Sequence, residues 1–240
     1  MSRLRKGDVE RHFNLPDHRR YKFVEVSAPA PAGRAQAGGT NKLTAEEMDN
    51  IYKSLGALES VNDEKVASAK VLVNSTYGEM TFDGMETLIR EANIGPNDVF
   101  VDLGSGNGRA VIQTFVNAGT RRAYGIEFHP ERSYNSERAL KKVYQQRPEC
   151  LAHDRICSFQ LQNIKDVYTL GDATVIYMCS TCYPEELLDA VYEKVKQSKN
   201  LRCIITHKQY DKFKEFLPKV RTVTVSCTWN PKLSWFLYSV

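Results

Sequence analysis

Short apolar runs alternate with longer amphipathic segments along most of this chain. The apolar runs predict strands over residues 99–101, 123–126, 156–161, 173–178 and 201–206. The amphipathic segments between them predict crossover helices, the longest of which begins at Pro130 and ends near Gln146. The run at 173–178 predicts the central strand. Strands that alternate with helices in this way indicate a doubly wound α/β sheet.

The C-terminal segment follows a different pattern. Residues 220–227 and 233–238 alternate between apolar and polar positions, and Trp229-Asn230-Pro231-Lys232 joins them. This pattern predicts an antiparallel hairpin, which completes a seven-stranded sheet. Because ligands of such sheets bind at the carboxyl ends of the strands, the polar residues at those ends are the candidates for chemistry.

The N-terminal part divides into two segments of different composition. Residues 1–42 have a basic start and a stretch rich in Pro, Ala and Gly. They predict a flexible tail, either solvated and inert or an electrostatic arm for an acidic partner. Thr44 and Glu47 have the spacing of a capping box ahead of an amphipathic helix, and residues 63–72 predict another helix. The predicted domains are a tail (1–42), a small helical lobe (43–73) and a main α/β domain (74–240).

The composition is typical of a soluble globular protein, with 42% hydrophobic residues, 26% charged residues and a formal net charge of +4. No apolar run is long enough to span a bilayer, and no signal peptide is recognisable. We therefore expect an intracellular protein that binds no membrane and keeps its six cysteines reduced. Cys179 and Cys182 have the spacing of half a zinc site, but no second pair completes it, so we expect no metal.

A glycine-rich loop after the first predicted strand is the strongest chemical signal. It reads Asp102-Leu103-Gly104-Ser105-Gly106-Asn107-Gly108 and leads into a helix that is predicted to start near Asn107. Alternate glycines let the backbone approach a ligand closely, and the start of a helix offers free N–H groups. The leading acid would repel the pyrophosphate of a dinucleotide, but it suits the cationic sulfonium and amino groups of S-adenosylmethionine. A tight turn with a capping acid is the alternative interpretation.

Two polar residues at neighbouring strand ends favour a cofactor that carries a nucleoside. Glu127 ends the second predicted strand, where its carboxylate suits the two ribose hydroxyls. Asn163 follows the third strand and suits the adenine amino group. We therefore expect S-adenosylmethionine to be the cofactor.

Motifs on both sides of the loop carry a family resemblance. Tyr77-Gly78-Glu79 precedes the loop, and Tyr124-Gly125-Ile126-Glu127 follows it. In this order and spacing, the chain resembles the non-SET histone-lysine methyltransferases named for disruption of telomeric silencing. The resemblance covers residues 75–238 and is more specific in its first half. The compact length and the divergent second half look more like a protist member than an animal or fungal one. The resemblance implies the class I methyltransferase fold.

The resemblance implies a role for each matching position. Tyr77, Gly78, Glu79 and Met80 would close over the methionine end of the cofactor. The cradle would comprise Asp102, Leu103, Gly104, Ser105, Gly106, Gly108 and Arg109, with Glu127 at the ribose and Asn163 and Ile164 at the adenine. The predicted catalytic residues are Tyr77, Ser180 beside the transferred methyl group, and Trp229 and Trp235 along a lysine channel. The alternative for both tryptophans is that they pack in the core of the hairpin. Met80, Arg109, Asn163 and Ser180 differ from the residues that the family has at those positions.

The resemblance also implies the reaction and the partners. We expect transfer of a methyl group to a lysine in the globular part of a nucleosomal core histone, by a nuclear monomer whose basic tail contacts DNA phosphates. Such a transfer needs alignment and a neutral amine more than a strong base, and no His–Asp pair is evident. His207 and Lys208 are either exposed loop residues or neighbours of the acceptor groove. The alternatives are a class I methyltransferase of small molecules or non-histone proteins, and an inactive chromatin-binding relative.

Overall fold

The computed structural model describes residues 42–55, 78–150 and 155–240. Helices in these ranges are α1 (Ala45–Lys53), α2 (Phe82–Glu91), α3 (Arg109–Asn117), α4 (Pro130–Gln146) and α5 (Glu185–Val195). The strands are β1 (Val99–Leu103), β2 (Arg122–Glu127), β3 (Ile156–Leu161), β4 (Val175–Met178), β5 (Cys203–Thr206), β6 (Lys219–Cys227) and β7 (Asn230–Ser239). None of the helices in these ranges combines the length and apolar character needed to cross a membrane.

The seven strands form one sheet in the order β3-β2-β1-β4-β5-β7-β6. Strands β1 to β5 are parallel to one another, whereas β7 runs antiparallel to both β5 and β6. β4 lies in the centre and all four of its residues are buried, as the apolar run predicts. The predicted doubly wound sheet with a C-terminal antiparallel hairpin is confirmed.

Differences from the predicted bounds occur where backbone geometry overrides the apolar pattern. α3 begins at Arg109 rather than near Asn107, because Gly108 has a left-handed φ of 83° and cannot continue a helix backwards. In the hairpin, the strands extend to Cys227 and Asn230, so the predicted four-residue connection shortens to Thr228 and Trp229. A register shift between Val225 and Cys227 makes room for this tighter turn.

Apolar side chains fill both faces of the sheet. One core cluster includes the buried residues of α2, α3 and α4, and the other includes those of α5. α1 joins the first cluster through Met48 and Ile51. Its predicted capping box is present, since the Glu47 amide donates to the Thr44 hydroxyl at 3.2 Å and the Thr44 amide donates to the Glu47 carboxylate at 2.8 Å. The helix predicted at residues 63–72 lies outside the described residues, and the division into a tail and a lobe stays a prediction.

An ion pair fastens the amino ends of the central strands. Asp98 precedes β1, and both of its carboxylate oxygens accept hydrogen bonds from the Arg202 guanidinium, at 2.6 and 2.7 Å. The Thr174 hydroxyl also donates to Asp98, at 2.7 Å. Burial raises the pKa of Asp98, but these hydrogen bonds outweigh burial and hold it below its ordinary value. This cluster lies at the sheet edge opposite the glycine-rich loop, so it bears on stability rather than on the site.

Candidate functional site

The glycine-rich loop turns sharply at the carboxyl end of β1. Gly104, Gly106 and Gly108 have φ angles of 79°, 53° and 83°, in the left-handed region that favours glycine. The amides of Gly104 and Ser105 both donate to the Ile126 carbonyl of β2, at 2.8 and 3.1 Å. A Cβ on Gly104 would collide with the Tyr183 hydroxyl. The loop is thus held close to the sheet and leaves an open face, which we call the cradle (residues 102–109).

Glu127 is buried at the end of β2, beside the cradle. One of its carboxylate oxygens accepts a hydrogen bond from the Gly106 amide at 2.8 Å, and the other accepts one from the His129 amide at 2.9 Å. Each oxygen of a carboxylate has a second lone pair, so both can accept a further hydrogen bond from a ligand. The arrangement fits a pair of neighbouring hydroxyl groups such as those of a ribose.

Asp102 is the most unusual group of the site. Its carboxylate is buried, and its Oδ1 atom has no hydrogen-bond partner among the described residues. Burial, together with the charge of Glu127, raises the pKa of Asp102 well above its ordinary value of 3.8. A buried carboxylate without a partner costs free energy, which a bound cation would recover. The site therefore fits a ligand that carries a positive charge near the cradle.

Two connected hollows open above the cradle. The inner hollow is lined by Gly78, Glu79, Met80, Asp102, Arg109 and Cys179, among others. The outer hollow has a volume of about 290 Å³ and is lined by Glu127, Phe128, Asn163, Ile164, Tyr183 and Trp229, among others. Gly78, Gly104, Gly106 and Cys179 line both hollows, so the two are continuous. The volume and the mixed lining suit an extended small molecule.

Asn163 and Ile164 both border the outer hollow, and their predicted role near an adenine stays a prediction. Ile164 is buried and supplies an apolar surface. The Asn163 side chain accepts a hydrogen bond from the Lys165 amide at 2.9 Å, which caps the short 3₁₀ helix Ile164–Asp166. Its amide group retains donors for a ligand, since only its oxygen is used there.

Arg109 links the cradle to two other segments. Its guanidinium lies 2.9 Å from the Asp49 carboxylate of α1 and 3.3 Å from the Glu79 carboxylate. It also lies over the Tyr52 ring, 4.3 Å from the ring centroid. The Tyr52 hydroxyl donates to the Asn107 carbonyl at 2.7 Å. The arginine that departs from the family pattern therefore holds α1 and the segment before α2 against the cradle.

The segment Gly78 to Met80 lies against the hairpin. Glu79 and Thr228 are joined by two hydrogen bonds, at 2.9 and 3.1 Å, and Met80 forms an isolated bridge with Cys227. A Cβ on Gly78 would lie 2.5 Å from the Trp229 ring, so only glycine fits there. Tyr77 lies outside the described residues. Its predicted role at the methionine end of the cofactor stays a prediction.

Ser180 requires a correction. We expected its side chain beside the transferred methyl group, but it is fully buried, 2.7 Å from the Thr206 hydroxyl, and accepts a hydrogen bond from the Lys208 amide at 2.8 Å. It holds the ends of β4 and β5 together. Cys179, the residue before it, borders both hollows instead. The turn that was predicted from the sequence therefore borders the hollows, but it does so through Cys179 rather than through Ser180.

The two tryptophans differ in position, which corrects one of them. Trp235 is fully buried on β7 and stacks on Tyr177, with ring centroids 5.2 Å apart and planes 6° apart. It is hairpin core, and it supports the cavity only through Tyr177, which borders the inner hollow. Trp229 is 42% exposed and borders the outer hollow, and its predicted role along a lysine channel stays a prediction.

Tyr183 is a site residue that the sequence did not reveal. It is buried, and its hydroxyl donates to the Leu103 carbonyl at the end of β1 while its ring borders the outer hollow. Leu103 and Gly108 shape the cradle without lining either hollow. The available signal was the position of Tyr183 directly before Pro184 and α5, at a strand end, but a single aromatic residue there is not specific.

Comparison with known proteins identifies the family. Residues 59–226, well over half of the chain, match the family described as histone methylation protein DOT1. The chain belongs to this family. The matched region includes the cradle, Glu127 and every residue that lines the two hollows except Trp229, so the predicted resemblance is confirmed for the family. The roles of the individual DOT1-family site residues stay predictions.

Curated relatives of this DOT1-family chain carry the name histone-lysine N-methyltransferase, H3 lysine-79 specific. One from Cryptococcus neoformans is 36% identical over 80 residues, covering 33% of this chain and 12% of the relative. One from Yarrowia lipolytica is 28% identical over 127 residues, covering 51% of this chain and 26% of the relative. The chain thus spans only a small part of the length of these relatives.

Solved structures with a similar fold include the magnesium protoporphyrin IX methyltransferase of Synechocystis PCC 6803 with bound S-adenosylmethionine. It is 15% identical, with a TM-score of 0.47, and the alignment covers 80% of this chain and 91% of that one. An RNA methyltransferase from Salinibacter ruber is 20% identical, with a TM-score of 0.45, and the alignment covers 65% of this chain and 89% of that one.

Proposed function

We propose that this chain is an S-adenosylmethionine-dependent histone-lysine N-methyltransferase. The observation that carries the proposal is the buried Asp102 carboxylate in the cradle, whose Oδ1 atom has no hydrogen-bond partner among the described residues and which a bound cation would complete. Membership of the DOT1 family supplies the reaction class and the histone acceptor. S-adenosylmethionine has the required positive charge, an amino group and an adenosine for the outer hollow.

The proposed contacts follow the two hollows. In the inner hollow, the Asp102 carboxylate accepts from the cofactor's ammonium group, where the low dielectric strengthens the attraction. In the outer hollow, Glu127 accepts from the ribose hydroxyls, and Asn163 and Ile164 contact the adenine. The methionine end of the cofactor then lies near Cys179, which borders both hollows.

Bound S-adenosylmethionine supplies a methyl group on a positively charged sulfur, which is a good leaving group. The protein's part is to align the acceptor amine with that methyl group and to exclude water. Trp229 at the mouth of the outer hollow presents an aromatic face to the entering side chain. Such a face also attracts the methylated ammonium product. The amine has to arrive, or become, neutral before it can attack.

The proposed acceptor is a lysine of a nucleosomal core histone, which places the protein in the nucleus. The relatives are named for lysine 79 of histone H3, and we propose a histone lysine of that kind here. Residues 1–40 include the basic segment at the start of the chain, and we propose that this segment contacts DNA phosphates. Deleting them should weaken nucleosome binding less at high salt than at low salt. Equal nucleosome affinity of both forms across a salt series would remove this role.

The test of the function is a choice among acceptors. The protein is incubated with methyl-labelled S-adenosylmethionine and, separately, with nucleosomes, free histones and cell extract. We expect label on a core histone, with nucleosomes preferred. Label on extract components but never on histones would indicate a methyltransferase of another substrate, and no label despite cofactor binding would indicate an inactive relative.

A further inference from the structure

A threonine and a histidine meet at the strand ends beside the outer hollow. Thr181 lies in the 3₁₀ turn Ser180–Cys182 after β4, and His207 follows β5. Because β4 and β5 are parallel neighbours, with Met178 paired to Thr206, the two residues leave the sheet at the same edge as the cradle. The Thr181 hydroxyl lies 3.1 Å from His207 Nδ1. Thr181 also borders the outer hollow together with Cys179 and Trp229.

The surroundings of His207 favour the neutral imidazole. Burial, and then the charge of the adjacent Lys208, lower the pKa of His207 below its ordinary value of 6.5. The turn across from it carries the thiols of Cys179 and Cys182, and burial raises the pKa of Cys179 to about 12, so that this thiol stays uncharged. β7 presents the uncharged Trp235 ring, 5.9 Å from the imidazole. At neutral pH this imidazole is able to accept a proton.

Resting on the proposed function, we propose that His207, through the Thr181 hydroxyl, takes up the proton that the acceptor ammonium loses before methyl transfer. One N–H bond of the ammonium breaks as Thr181 Oγ1 gains that proton. The hydroxyl proton of Thr181 passes to His207 Nδ1, which gives an imidazolium. His207 is only half-buried, so the imidazolium returns a proton to solvent after the reaction.

A proton acceptor at this place meets a need of the reaction. A lysine ammonium has an ordinary pKa near 10.4, so only about one in 2,500 is neutral at pH 7. Once a histone segment covers the mouth of the hollow, the bound ammonium loses contact with the solvent that would otherwise take its proton. A relay through one hydroxyl supplies the route without placing a charged base beside the sulfonium. This relay was not recognisable as a His–Asp pair in the sequence, because the partner of the histidine is a hydroxyl rather than a carboxylate.

The test compares five proteins: wild type, His207→Gln, His207→Ala, Thr181→Val and the matched control Thr181→Ser, which keeps the hydroxyl. Single-turnover methylation of nucleosomes is measured with saturating cofactor between pH 5.5 and 9.5. We expect the wild-type rate to be flat above the pKa of His207 and to fall tenfold per pH unit below it. His207→Gln and Thr181→Val should be about 100-fold slower at pH 7. Their rates should rise tenfold per pH unit through pH 7–9, because the acceptor must then enter already neutral.

Thermal unfolding and cofactor binding are measured for each variant as controls. In a rescue experiment, added imidazole should restore the methylation rate of His207→Ala but not that of Thr181→Val. The inference is overturned if His207→Gln keeps the wild-type pH profile, or if Thr181→Ser behaves as Thr181→Val does. A wild-type protein that binds cofactor but methylates no histone contradicts the proposed function instead. The two failures are therefore distinguishable.

Discussion

Replacing Asp102 by asparagine should separate stability from cofactor binding. In the free protein the Asp102 carboxylate is buried near Glu127, and its Oδ1 has no partner among the described residues. Asparagine keeps the shape and removes the acid. We expect Asp102→Asn to be more stable than wild type without cofactor and to bind S-adenosylmethionine much more weakly.

The magnitudes follow from the burial of this group. Asparagine also leaves a buried polar group there, so the gain is only the cost that the raised pKa of the acid imposes. A pKa raised by one lowers the free energy of unfolding at neutral pH by about 1.4 kcal/mol, and that of Asp102 is raised well above 3.8, so Asp102→Asn should raise the free energy of unfolding by at least about that amount. For a protein of this size each kcal/mol raises Tm by about 2–4 °C. In the complex, a hydrogen bond between two charged groups contributes about 1.5–3 kcal/mol. Its loss corresponds to a Kd that is about 10- to 150-fold higher.

The pH dependence has a definite sign. The folded state raises the pKa of Asp102 above 3.8, which is its ordinary value in the unfolded state. At a pH between the unfolded-state and folded-state pKa values, the folded state therefore holds more protons than the unfolded state. Stability that depends on Asp102 therefore falls as pH rises above 3.8. The advantage of Asp102→Asn should appear at neutral pH and vanish as pH falls below 3.8.

Thermal unfolding without cofactor and calorimetry with S-adenosylmethionine measure both effects on the same two proteins. Binding to wild type should also release a proton, because the bound ammonium favours the ionised carboxylate, so the heat depends on the buffer. The variant should release none. An Asp102→Asn protein that is less stable than wild type, or that binds the cofactor equally well, would refute this role of the carboxylate.

Two further substitutions test the supports of the site. Arg109→Gln removes the contacts with Asp49 and Glu79, which are partly exposed and contribute about 1 kcal/mol together. Hydrogen exchange of the α1 amides should become faster in this variant, and unchanged exchange would mean that Arg109 does not hold this helix. Asp98→Asn should lower the free energy of unfolding by about 1–3 kcal/mol at pH 7, because Arg202 loses its charged partner and keeps only its hydrogen bonds to the Ala92 and Asn93 carbonyls. Cofactor affinity should be kept. The pKa of Asp98 is lowered in the folded state, so its contribution is present above its ordinary value of 3.8 and lost as pH falls below it. Equal denaturation midpoints for Asp98→Asn and wild type at pH 7 would contradict that assignment.

The sheet was predictable because its strands are short apolar runs with helices between them. β4 illustrates this, since a run such as Val-Ile-Tyr-Met fits only a strand that is covered on both faces. The cradle was predictable for a similar reason, because glycines at alternate positions mark a backbone that needs left-handed φ angles. What periodicity does not give is the last residue of each element, as the start of α3 at Arg109 shows.

The acceptor side of the site was harder to predict, because it depends on which way single side chains point after a strand ends. Ser180 and Cys179 are neighbours in a 3₁₀ turn, and only the fold shows that the serine bonds to Thr206 while the cysteine borders the hollows. Trp235 lies on β7, and its side chain is on the face of the sheet that carries the first core cluster, so it packs into the core. Neither outcome follows from local pattern.

The central claim is that the glycine cradle binds S-adenosylmethionine, and calorimetric titration of Gly106→Arg tests it most directly. Gly106 has a φ of 53° and borders both hollows, so an arginine there fills the cradle with a bulky cation. Gly95→Arg is the matched control, because a side chain at Gly95 meets no atom within 4 Å. We predict that wild type and Gly95→Arg bind the cofactor equally and that Gly106→Arg, with an unchanged circular dichroism spectrum, does not bind it. Cofactor binding by Gly106→Arg with wild-type affinity would place the site elsewhere and contradict the account.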